Sequence, residues 1–175
     1  GDPDTVNRVI AEVAEVVRRR TELFRELRIG SMAAYRDLVA TGQAADDGLG
    51  DVLLVIDGWS EFRKAHPDDM ERMASLLNAG TAVGLHVVVS ALEWTALPRT
   101  IQGMFNNIIE LKINDSHLSK INKRAADAVP DIAGRGLDAA TAKHIMIGAP
   151  RLDEVAAVDD AGLAAGPLPE FDAQA

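Results

Sequence analysis

Val52, Leu53, Leu54, Val55 and Ile56 form an unbroken apolar run that stops at Asp57-Gly58. A strand with one wet face alternates apolar and polar side chains. A run without alternation therefore predicts a strand buried on both faces, as in a parallel sheet covered by helices. A second apolar run occupies residues 85–90. Between the two lies a helical pattern that opens at Pro67-Asp68-Asp69, places Met70, Met73, Leu76, Leu77 and Val83 on one face, and closes at Gly84. Proline is pre-set for a first helical turn and glycine for a helix end, so the three pieces predict a β-α-β unit. The methionines then read as part of a helix core face rather than as a partner-binding surface.

The flanking segments extend this pattern. Asp2 followed by Pro3 reads as a helix cap and first helical residue, and Val6, Val9, Ile10, Val13, Val16, Val17, Phe24 and Leu27 continue an apolar stripe at helical spacing. One long amphipathic helix is predicted to end near Leu27. Within it Arg18-Arg19-Arg20 is flanked by Glu12, Glu15, Glu22 and Glu26, which reads as a solvated, salt-bridged helix face. Ser31 can cap a second short helix through Val39, and residues 41–50 read as an exposed loop. Further on, residues 98–104 suit a short helix, 108–113 a third strand, 115–129 a helical stretch, and His144-Ile145-Met146-Ile147 a fourth strand after a turn at Gly134-Arg135-Gly136. The weakly patterned residues 154–175 read as a linker or disordered tail.

Composition narrows the chemistry. The 175 residues are 47% hydrophobic, enough for one cored domain, and carry a formal charge of −9, which opposes a phosphate backbone as the main partner. There are no cysteines, which excludes disulfides, thiolate metal sites and cysteine nucleophiles. His66, His86, His117 and His144 stand far apart, with no pair at the spacing that puts two metal ligands on one helical face. No stretch approaches the ~20 apolar residues that span a bilayer.

In an open parallel sheet, ligands bind beyond the carboxyl ends of the strands, which directs attention to Asp57, Ser90 and Asn114. An apolar strand ending in aspartate is how P-loop NTPases place the Walker B carboxylate that holds Mg²⁺ beside the nucleotide phosphates. The partner motif G-x-x-x-x-G-K-[ST] is absent: the sequence has no Gly-Lys, Lys-Ser or Lys-Thr pair. A phosphate cradle must come from elsewhere or be lacking. A parallel sheet without its first β-α unit would leave an apolar edge and face open, and such a chain is expected to seek a partner.

Several ordered segments resemble one family. Arg18-Arg19-Arg20-Thr21-Glu22-Leu23-Phe24 through Ser31-Met32-Ala33-Ala34-Tyr35-Arg36 is similar to the helical segment before Walker B in the EccC ATPases of type VII secretion, which carry FtsK/SpoIIIE-type domains. Val55-Ile56-Asp57-Gly58-Trp59 resembles the Walker B of that family's later, degenerate modules. Ser90-Ala91-Leu92-Glu93-Trp94 resembles its T-A-N-R-W, residues 104–113 its L-F-G-T-R-L-E-L-R-L, and residues 130–152 its P-G-R-G-L…A-P-R-L-D ending.

The resemblance implies an α/β, RecA/ASCE-like P-loop NTPase domain over residues 1–153, lacking the Walker A strand-loop-helix. It also implies that active members carry groups this chain does not. Gly58 stands where a water-polarising carboxylate would follow Asp57, Leu92 at a polar sensor position, and Ile108 where an arginine finger would lie. Loss of a finger alone typically costs ~10³–10⁵ in turnover, so little or no ATP hydrolysis is expected. Glu61, four residues after Asp57, reads as a helix-start carboxylate rather than a substitute base.

Further expectations follow from the same resemblance. ATP with Mg²⁺ is the cofactor, Asp57 its metal contact, and Ser90, Trp59, Trp94 and Arg135 are candidates for the nucleotide edge or a module interface; for the two tryptophans core or interdomain packing is the favoured reading, and Arg135 equally fits a residue that shapes an exposed turn. The partners are neighbouring ATPase modules, membrane components of the secretion system and secreted helical-hairpin substrates of the Esx/WXG100 type, in an oligomeric motor at the cytoplasmic face of the membrane. An FtsK-like DNA translocase is the alternative, and it would want a polar sensor and a basic loop.

Overall fold

The computed structural model describes residues 3–148; the proposed cap Asp2 and the tail at 154–175 lie outside them. Helix α1 (Pro3–Leu27) is followed by α2 (Met32–Ala40), whose cap Ser31 accepts a hydrogen bond from the Ala34 amide. Strand β1 (Val52–Ile56), helices α3 (Trp59–Ala65) and α4 (Met70–Gly80), and strand β2 (Leu85–Val89) come next. Pro67–Asp69 forms a single 3-10 turn leading into α4. The two strands pair in parallel with Val52 opposite Leu85 and Ile56 opposite Val89, so the β-α-β unit read from the sequence is present.

The core lies on one face of this ladder. Ile10, Val17 and Phe24 of α1, Met73, Leu76 and Leu77 of α4, and Leu54, Ile56 and Leu85 of the strands are buried together with Met32, Tyr35, Trp59 and Ile101. The methionine-bearing face of α4 is therefore core. The expectation of a strand buried on both faces fails: Leu53 is 62% exposed, Val55 59% and Val88 51%. The apolar run has two apolar faces, but only one meets helices among the described residues.

Past α5 (Arg99–Gln102) the chain departs further from simple alternation. Strand β3 (Ile109–Leu111) pairs with neither β1 nor β2, but with β4 (Arg135–Asp138), which pairs in turn with β5 (His144–Met146) in an antiparallel three-stranded sheet. The stretch 115–129 is not one helix. It is a 3-10 turn at Ser116–Leu118 and a short α6 (Lys123–Asp127) capped by Asn122, because Ser119 and Lys120 are tied to the Glu110 carboxylate instead of continuing the helix. The segment read as a turn at 134–136 is a turn only at Gly134; from Arg135 it is strand. Gly136 shows why glycine is needed in β4: a Cβ there would lie 2.4 Å from the Glu110 carbonyl oxygen. Leu137, fully buried with Ala126 and Val129, centres a second small core under this sheet.

Arg20 overturns the reading of the Arg18-Arg19-Arg20 run as one solvated face. Arg18 does lie on the surface, clamped between Glu15 and Glu22 at 2.7 and 2.9 Å. Arg20 is 2% exposed and points inward. Its guanidinium pairs with Asp47 at 2.6 Å, and also donates to the carbonyls of Val83, Leu49 and Gly50. Tyr35 secures the same loop, donating to the Ala45 carbonyl at 2.7 Å and accepting from the Asp47 amide at 2.9 Å. The connection at 41–50, mostly exposed, is thus pinned to the core by two side chains.

Candidate functional site

The carboxyl ends of β1 and β2 lie side by side and bring Asp57 and Ser90 together. The Ser90 hydroxyl donates to Asp57 Oδ1 at 2.5 Å and accepts from the Gly58 amide at 2.8 Å. The backbone continues the tie: Ser90 N–H reaches the Ile56 carbonyl at 3.0 Å, and Trp59 N–H reaches the Ser90 carbonyl at 2.9 Å. Asp57 is exposed, and its Oδ2 accepts from no donor among the described residues. Mg²⁺ takes octahedral oxygen ligands and usually keeps several waters, with one or two carboxylates and the substrate phosphates completing the shell. A single open carboxylate oxygen fits a water-mediated contact to a phosphate-bound Mg²⁺, and does not amount to a metal cage by itself; no cluster of three metal-ligating side chains occurs among the described residues.

Gly58 sits at φ +80°, ψ +66°, in the left-handed region. The chain turns there sharply from strand into α3, which permits the next amide, that of Trp59, to face back to Ser90. Nothing lies within 4 Å of where a Gly58 Cβ would be, so the constraint is on backbone rather than space. Glu61 lies in the first turn of α3 and pairs with Lys64 at 2.8 Å.

The other sequence-selected residues separate. Trp59 is 1% exposed and packs its ring 5.6 Å from that of Phe62, a core contact rather than a rim contact; its indole N–H finds no partner among the described residues. Trp94 is half-buried, and Lys120 lies 5.9 Å over its ring, joining the loop after β2 to the connection between β3 and α6. Leu92 is 92% exposed, an apolar side chain with no hydrogen-bonding group. Ile108 is half-buried, and its carbonyl accepts from the Ala139 amide in the second sheet. Arg135 belongs to β4, with its Nε buried and unpaired among the described residues. Asn114 lies exposed beyond β3, in the other sheet.

The open edge expected of a parallel sheet without its first β-α unit lies along β1, which pairs only with β2 among the described residues. A cleft of about 470 Å³ runs along the outer edge of β1, lined by Val6, Val9 and Ile10 of α1, by residues 54–57, and by Phe62 and His66. In the parallel ladder Val52 N–H and the Ile56 carbonyl face β2, so by alternation the backbone groups of Leu53 and Val55 point away from β2, and Val55 lines the cleft. These backbone groups have no partner among the described residues.

Comparison with known proteins places this geometry. Residues 1–154 match the FtsK/SpoIIIE family. The chain belongs to that family. It is 35% identical over 161 residues to the ESX-1 secretion system protein EccCb1 of Mycolicibacterium smegmatis, covering 91% of this chain and 27% of the relative. It is also 35% identical over 153 residues to the ESX secretion system protein EccC of Thermomonospora curvata, covering 87% of this chain and 12% of the relative. The chain thus spans about a quarter or less of the relatives it matches. The solved structure of Thermomonospora curvata EccC, ATPases 2 and 3, in complex with a signal sequence peptide superposes with a TM-score of 0.80 at 35% identity, over 87% of this chain and 27% of that one. A conjugation coupling protein, TcpA of pCW3, solved with ATPγS, shares the fold at a TM-score of 0.66 and 18% identity, over 78% of this chain and 41% of that one. The α/β fold of this FtsK/SpoIIIE chain is that of P-loop ATPase domains, and the pairing of β1 with β2 is its parallel sheet.

Proposed function

We propose that this chain is the Walker B-bearing part of an ATPase module in a type VII secretion motor, and that the module holds nucleotide without hydrolysing it. The observation that carries this reading is the composition of the rim. Asp57 stands there with a free carboxylate oxygen, while the position after it is a left-handed glycine and the loop beyond β2 presents Leu92 to solvent. A group that contacts Mg²⁺ is retained; the groups that would orient and deprotonate a water are not. Glu61, held by Lys64, does not replace them. When bound, Mg²⁺ neutralises charge on the phosphates; this chain's part is to hold the ion's water shell at Asp57.

The open edge of β1 and the exposed face of Leu53, Val55 and Val88 support a second element of the proposal. They are the seat of a further strand and helix that carry the P-loop, since a parallel sheet is stable when both faces are covered and its edges paired. With ATP bound in this way, the module's work is control of neighbouring modules and reception of secreted Esx/WXG100-type substrates. A relative solved with a signal sequence peptide supports the substrate role. The reading places the module in an oligomeric motor with the membrane components of the system, at the cytoplasmic face of the membrane. The DNA translocase reading is less favoured, because the charge is −9 and the loop that carries Leu92 presents Glu93 rather than basic residues.

Phosphate release tests the reading, and the missing carboxylate alone is not enough to restore it. Gly58→Glu is expected not to give ATP turnover, measured as phosphate release from the protein joined to its P-loop region. It is also expected to lower thermal stability by about 1–2 kcal/mol, the cost of placing a side chain in the left-handed region. Turnover by the unaltered protein, abolished by Asp57→Asn, would show an active ATPase and refute the reading.

A further inference from the structure

The geometry points to Ser90 as the positioning residue for Asp57: its hydroxyl fixes the carboxylate so that Oδ2 is the oxygen presented to a divalent cation. The inference rests on the reading of Asp57 as a Mg²⁺ contact. Four hydrogen bonds run from this one serine to four consecutive residues, Ile56, Asp57, Gly58 and Trp59, and two of them use the side chain. The direction of the hydroxyl proton is decided by its neighbours. A backbone N–H can only donate, so at Gly58 the serine oxygen accepts, and its one hydrogen is left for Asp57 Oδ1. A hydroxyl donating to an ionised carboxylate is in the strong class of hydrogen bonds, and 2.5 Å is at the short end of its range.

Nothing else holds the Asp57 side chain. It is exposed, and no basic side chain pairs with it among the described residues. Without the serine the carboxylate is free to sample its staggered rotamers, and a cation must then pay the entropy of selecting one. Partners that orient a metal ligand typically contribute about 10–100-fold in affinity. The contact crosses from one strand to the other, so the position of Asp57 is set by the start of the loop that carries Leu92 and Trp94.

Mn²⁺ with ATP, titrated into the ¹⁵N-labelled protein joined to its P-loop region, reads the site residue by residue through paramagnetic broadening of the amides of 57–59 and 90. In the unaltered chain these signals are expected to broaden first, and Asp57→Asn to abolish the effect. Ser90→Ala is expected to raise the Mn²⁺ concentration for half-broadening about tenfold. Ser90→Thr, which keeps the hydroxyl, should return it close to the unaltered value, and the thermal midpoint of Ser90→Ala, expected to stay near that of the unaltered chain, separates positioning from a tie that serves stability alone. Should alanine disturb the strand ends, Ser90→Cys keeps the volume with a poorer donor, and weakened broadening there supports the same conclusion. Ser90→Ala or Ser90→Cys binding Mn²⁺ like the unaltered chain, with Asp57→Asn inactive, overturns the positioning role and leaves Asp57 as a contact. Broadening that survives Asp57→Asn, or no local broadening at all, overturns the Asp57 reading and this inference together.

Discussion

Arg20→Ala is expected to destabilise the chain by about 3–5 kcal/mol, the range for removing one partner of a buried ion pair. At 2% exposure Arg20 serves Asp47 and three backbone carbonyls at once, and no neighbour can take over those acceptors. The loss includes the packing of the side chain's aliphatic stem on the α1 stripe and the order of the 41–50 loop. For a domain of this size the midpoint of thermal unfolding should fall by roughly 10 °C. The Arg20 guanidinium also holds the Asp47 carboxyl below its ordinary value. A lowered carboxylate contributes stability that is complete above the unfolded value of about 3.9 and is lost as pH falls through the folded one. The difference in stability between the unaltered chain and Arg20→Ala should therefore narrow through that acid range by the Asp47 part, while the part carried by the three carbonyls remains. Equal stability of the two at neutral pH would contradict the assignment.

Trp59→Ala should cost a similar amount, about 3–5 kcal/mol, by opening a cavity where a nearly fully buried ring meets Phe62 and the β1 core. Trp59→Phe should cost clearly less. The indole N–H has no partner among the described residues, so phenylalanine gives up only ring area and removes an unsatisfied donor. Denaturant unfolding of the two variants checks both values. Comparable losses would mean that the N–H has a partner in the folded protein. Either outcome bears on function, because Trp59 follows the Asp57-Gly58 turn, and its amide is one of the four bonds to Ser90.

Much of the first half of the fold was legible because side-chain period and end signals agree there. The stripe of α1, the Ser31 cap and the two apolar runs each have one local solution, and the structure adopts it. Burial of Arg20 was legible too, in principle. It falls on the stripe of Val13, Val17 and Phe24 at spacings of three and four, but three consecutive arginines among glutamates suggest a solvent face. The second sheet was harder to read. Gly134-Arg135-Gly136 has the composition of a turn, and β4 exists because Gly136 allows it to press against Glu110, a tertiary reason with no local signature. The exposed face of β1 was signalled by the absent P-loop unit and not by the apolar run itself, which is the same whether or not its second cover is at hand.

At the site, sequence selected Asp57 and Ser90 as strand ends, and the parallel register brings them into contact. It could not show that the serine hydroxyl is spent on the carboxylate, or that Gly58 is left-handed. Trp59 follows Asp57 in sequence but α3 turns it inward at once, in keeping with packing as the favoured reading of a tryptophan there.

The central claim, nucleotide held at Asp57 without hydrolysis, is tested most directly by calorimetric titration of Mg²⁺-ATP into the protein joined to its P-loop region, with phosphate release followed in the same sample. Saturable binding that weakens on Asp57→Asn, with no phosphate released, is the predicted result; steady turnover, or binding indifferent to Asp57→Asn, would contradict it.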